Sequence, residues 1–90
     1  MNYRDAYDHY KNAIQRVYSA ARETAICVKA NEYMQLGTCC NRYIDAVKAL
    51  MNVNTTFMSR DKIVDIRPDF ERSTNTIKWE SGMELTFPVI

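Results

Sequence analysis

Apolar side chains recur three and four residues apart through the first half of this chain and two residues apart near its end. Tyr3, Tyr7, Tyr10, Ile14, Val17, Ala21, Thr24 and Val28 step alternately by four and three, which places them on one stripe of an α-helix. Ala6, Ala13, Ala20 and Ala25 widen the stripe or let a neighbour approach closely. No proline or glycine occurs before Gly37. Asn2 suits the N-cap, with Asp5 near the positive end of the helix dipole.

A second stripe, Tyr33, Leu36, Cys40, Tyr43 or Ile44, Val47, Leu50 and Met51, keeps the rhythm out of phase with the first. Continuing the first stripe would need apolar groups near 31, 35 and 38, where Asn31, Gln35 and Thr38 stand. The phase break predicts a turn at Ala30–Asn31 and an antiparallel pair of helices. The competing break is Gly37 with Thr38 as a new N-cap, but a glycine inside a helix costs only about 1 kcal/mol. Asn52 and Asn54 are expected to end the second helix.

The rest reads as β structure. Thr76–Trp79 and Met83–Phe87 alternate about Glu80-Ser81-Gly82. A three-residue loop pairs Trp79 with Met83 and Ile77 with Leu85, giving one apolar face, whereas a two-residue loop mixes the faces. Gly82 then takes the left-handed position of a bulged turn. Lys62–Arg67, with Val64 and Ile66 on one face, forms a third strand ended by Pro68. The expected fold is α+β: one domain over 1–90, an N-terminal antiparallel helical hairpin over 1–52, and a small C-terminal antiparallel β-hairpin or meander over 53–90.

Composition narrows the class. The chain has 90 residues, twelve basic against eleven acidic, a net charge of +1 and 47% apolar residues, which excludes a disordered tail. No signal peptide or spanning segment stands out. Cys27, Cys39 and Cys40 are odd in number and two are adjacent, so a disulfide framework is not expected and free thiols in the cytoplasm are. The lone His9 has no cysteine or orienting group at a catalytic spacing, and the cysteines lack metal-site spacing. No phosphate loop, dinucleotide fingerprint or nucleophile elbow occurs. Neither catalysis nor a cofactor nor a metal is expected.

Tyr33-Met34-Gln35-Leu36-Gly37-Thr38-Cys39-Cys40 and Tyr43-Ile44-Asp45-Ala46-Val47-Lys48-Ala49-Leu50 resemble parts of a tetratricopeptide repeat. The likeness covers about twenty residues and has no second copy, which that architecture needs. It is the generic signature of packed antiparallel helices.

The tyrosines carry the functional reading. Two helices and a hairpin cannot enclose so many phenols and satisfy every hydroxyl, and tyrosine favours interfaces. A partner surface is therefore expected at Tyr3, Arg4, Tyr7, Tyr10, Lys11 and Ile14, with Trp79 as an anchor and Met34, Met51, Met58 and Met83 adding adaptable apolar area. The chain is expected to be a self-associating, non-enzymatic regulator or inhibitor of a protein partner. Chains of this kind are common among phage-encoded modulators, an association of class only. The alternative is a nucleic-acid or small anionic nucleotide binder using Arg4, Lys11, Arg22 and Lys29, with tyrosines stacking on bases. Asp5, Asp8 and Glu23 interrupt that positive field.

Overall fold

The computed structural model describes residues 3–89, and of Tyr3 the backbone alone. Two helices, α1 (Tyr3–Lys29) and α2 (Tyr33–Phe57), precede three strands, β1 (Ile63–Asp69), β2 (Thr74–Trp79) and β3 (Glu84–Pro88). The strands form an antiparallel meander in the order β1-β2-β3. The fold is α+β, a helical hairpin followed by a small sheet. The Asn2 cap lies outside the described residues.

The helix break falls at Ala30–Asn31, and Gly37 lies inside α2. Asn31 adopts a left-handed conformation (φ 57°). The Glu32 amide donates to the Cys27 carbonyl (3.0 Å) and the Asn31 amide to that of Val28 (3.2 Å). This is a Schellman cap, with asparagine where glycine is usual.

Along the seam between the helices the buried side chains are small: Ala13 and Ala20 of α1, Ala46 of α2, and Cys27 and Cys39 towards the tip. The buried line runs through Cys39 and Ala46 rather than through Cys40 and Val47, which are half-buried beside it. Larger groups flank a seam that only small ones can enter.

The C-terminal end of α2 departs from expectation. The helix passes Asn52 and Asn54 and stops at Phe57. Asparagine ends helices by bonding its own backbone, but the Asn54 side chain is committed elsewhere. Its Oδ1 accepts from the Tyr10 hydroxyl and the Trp79 indole N–H, both at 2.8 Å, and its Nδ2 donates to the Asp61 carbonyl (2.9 Å). One amide thus joins α1, α2, β2 and the segment leading into β1. Asp61 extends the link, its carboxylate accepting from the Ser81 amide (3.0 Å) and hydroxyl (2.6 Å) in the β2–β3 turn.

The β2–β3 register is the expected one. Ile77 faces Leu85, the Trp79 amide donates to the Met83 carbonyl (2.9 Å), and Gly82 has a φ of 97°. In β1 the expected face is wrong. A bulge between Ile63 and Asp65 leaves Val64 exposed and turns Ile63 and Ile66 inward together. Pro68 continues the strand instead of ending it, as an edge strand permits.

The helices cover one face of the sheet. Tyr10, Ile14, Val17, Tyr18, Leu50, Ile77, Trp79 and Phe87 make the core, each large apolar group contributing roughly 1.5–3 kcal/mol by its burial. The other face is polar, with Arg67 bridging Asp65 (3.0 Å) and Glu84 (2.6 Å). These exposed bridges are worth well under about 1 kcal/mol each.

Two substitutions test this account. Asn54→Leu leaves the Tyr10 hydroxyl, the Trp79 N–H and the Asp61 carbonyl without this partner, so chemical denaturation should show a loss of about 3 kcal/mol or more. At Gly37 an added Cβ meets no atom within 4 Å, and Gly37→Ala should raise stability by about 0.5–1 kcal/mol in the same measurement.

Candidate functional site

The structure divides the expected partner surface. Tyr10 (5% exposed) and Ile14 (0%) belong to the chain's own core, because the sheet folds back over this end of α1. Neither presents its side chain to a partner. Tyr7 remains 45% exposed with its ring 5.3 Å from that of Phe87. Arg4 is exposed and Lys11 half-buried; the Tyr3 side chain lies outside the described residues. Of the other tyrosines, Tyr18 is buried against the Phe70 ring (5.3 Å), Tyr43 is half-buried, and exposed Tyr33 donates to the Asn31 side chain (2.9 Å).

The four cations of the alternative reading are spread along α1. Arg4 and Lys29 stand about 37 Å apart along α1 at 1.5 Å per residue. Arg22 and Lys29 are exposed. A polar groove on α1 and α2 does gather Arg16 and Arg42, but beside Glu23 and Asp45, and Arg42 bridges Glu23 at 3.2 Å. Positive and negative groups balance there.

A different surface emerges from a mismatch of lengths. α1 has 27 residues and is about 40 Å long. The longest strand has 7 and reaches about 23 Å. The sheet therefore covers only the end of the hairpin around Tyr10, Val17 and Leu50, and the apolar stripes run on beyond it. There Ala21, Thr24 and Ala25 of α1 and Cys40, Tyr43 and Ile44 of α2 line an open groove. Tyr43 also packs against the core, so groove and core are one continuous apolar surface, covered in one half and bare in the other. The Thr24 hydroxyl turns back to the Ala20 carbonyl (2.8 Å), which leaves the groove nearly all carbon. Ile44 is 48% exposed, and Val28 and Tyr33 extend the apolar surface towards the tip. All of these except Ala25 stand on the two stripes read from the sequence, beyond the Tyr3–Ile14 segment expected to meet a partner. Met83, before β3, and Leu85 within it add a smaller exposed apolar zone.

The three cysteines are free. The Cys27 and Cys39 sulfurs are 3.2 Å apart across the seam. The hydrogen bond to Cys39, then burial, pushes the Cys27 thiol up to about 11, with Glu32 and Glu23 adding in the same direction. His9 stacks on Phe57 (5.4 Å) and lies about 27 Å along α1 from Cys27, so no Cys/His pair forms. Among the described residues no group of three potential ligands could hold a metal ion, and no helix is long and apolar enough to cross a membrane.

Burial, and secondarily the charge of Asp61, raises the Tyr10 phenol above its ordinary value of 10.0. The phenol thus titrates later in the folded chain than in the unfolded one. Its contribution to stability is complete below pH 10 and is lost as the pH rises through the folded value. Cys27 acts in the same sense between 9.0 and about 11. Unfolding free energies measured from pH 8 to 12 should therefore fall, and Tyr10→Phe should fall less steeply than wild type above pH 10. In comparison with protein-family models, with curated proteins and with solved structures, the chain matches none.

Proposed function

We propose that this chain is a small non-enzymatic interaction protein that regulates or inhibits by occupying a partner, and that the contact is made by the bare half of the helical hairpin. The single observation behind this reading is the groove at Ala21, Thr24, Ala25, Cys40, Tyr43 and Ile44, an apolar surface continuous with the core that no part of the described chain covers. Water against such a surface is displaced at a gain of roughly 25 cal/mol per Å² when another apolar surface arrives. Small Ala21 and Ala25 let a helix approach closely, while Tyr43 and Ile44 wall the groove.

A second copy of the chain is the simplest occupant, since two such hairpins laid face to face bury both grooves as a four-helix arrangement. The polar side of the hairpin, with its Arg42–Glu23 bridge, then stays in water.

Light scattering coupled to gel filtration tests the assignment. Ile44→Lys alters a half-exposed side chain, so far-UV circular dichroism should stay unchanged while association, or capture of a partner, weakens at least about tenfold. An unaltered mass distribution and unaltered capture would remove the groove from the contact.

A further inference from the structure

We infer that Cys27 and Cys39 form a built-in modification site, a dithiol that a small peroxide converts into an intrachain disulfide stapling the tip of the helical hairpin. The observation is independent of any partner. The two sulfurs lie 3.2 Å apart on facing helices with no group between them, and both side chains are buried, at 5% and 6% exposure. Smallness is needed along this seam, but elsewhere alanine supplies it, at Ala13, Ala20 and Ala46. Only at the tip do two thiols face one another, and the tip is where no sheet supports the helices. Eleven residues, 28–38, separate the pair and include the Asn31 turn. A covalent bond there would hold the two ends of the turn together in the unfolded chain as well as in the folded one.

Cys40 stands apart from this pair. It lines the apolar groove with Tyr43 and Ile44 and is only half-buried.

The chemistry balances with hydrogen peroxide as the oxidant. One cysteine, as its thiolate, attacks the peroxide O–O bond, gains one oxygen as a sulfenic acid and releases hydroxide, which takes up a proton to become water. The second sulfur attacks the sulfenic sulfur, forms the S–S bond and expels that oxygen as a second water. Two thiols lose two electrons, and the peroxide accepts them. The hydrogen bond to Cys39 raises the Cys27 thiol and both sulfurs of the pair are buried, so alkylating reagents should reach half-buried Cys40 first.

The experiment treats the reduced full chain with hydrogen peroxide and digests it with trypsin without reductant. Cleavage after Arg22, Lys29 and Arg42 puts Cys27 in peptide 23–29 and the other two cysteines in peptide 30–42. The expected product is these peptides joined, two hydrogens lighter, in wild type and equally in Cys40→Ser, but absent in Cys39→Ser. The intact oxidised chain should unfold at a temperature higher by roughly 10 °C, and dithiothreitol should reverse the shift. Thiols that stay reduced, a link that survives in Cys39→Ser but not in Cys40→Ser, or an unchanged unfolding temperature would each overturn the inference.

Discussion

One carboxamide holds the two halves of this protein in register. Asn54 sits near the end of α2 and accepts from Tyr10 and Trp79 while donating to the chain entering β1. Inside a low-dielectric core these bonds are strong, and an unpartnered member would be costly. The network therefore selects a single arrangement of helices and sheet, where apolar packing alone would accept several. It also dictates which aromatic groups are available to the outside. Tyr10 cannot face a partner, because its hydroxyl is already engaged under the sheet. Asn75 is the counterexample in the same core: it is fully buried, and neither polar atom of its side chain has a hydrogen-bond partner among the described residues. Here the core carries a polar group that adds nothing to its cohesion.

The second constraint is geometric. Helices gain 1.5 Å per residue and strands about 3.3 Å, yet 27 helical residues still outrun a strand of 7. The sheet closes over the half of the hairpin near Asn54 and leaves the other half with one polar side and one apolar side. A chain of this size that ends its sheet early leaves apolar area in water unless something else covers it. That unmet demand, rather than any catalytic constellation, is the feature from which the functional proposal grows. The thiol pair lies in this same unsupported half, where holding the helices together matters most.

Periodicity made much of the architecture legible. The three-four stripes gave both helices, Asn31 gave the turn, and alternation about Gly82 gave the β2–β3 register, because each depends on residues close together in the chain. The burial of Tyr10 and Ile14 was not legible, although both stand on the first stripe: periodicity says which side of a helix is apolar but not how far along it a cover extends. Val64, expected on the same face as Ile66, lies exposed for a related reason. A bulge shifts the alternation by one residue, and nothing in Ile63-Val64-Asp65 announces it.

Local patterning thus settled the element types, their order and the antiparallel pairing, since helix and strand periods follow from backbone geometry. The end of α2, the burial of Tyr10 and Ile14, the meeting of Cys27 with Cys39 and the bare half of the hairpin were decided by contacts between residues far apart in sequence. An asparagine ends a helix when its side chain has nothing better to bond, and it continues one when a tyrosine and a tryptophan arrive from elsewhere. Only the folded chain brings them there.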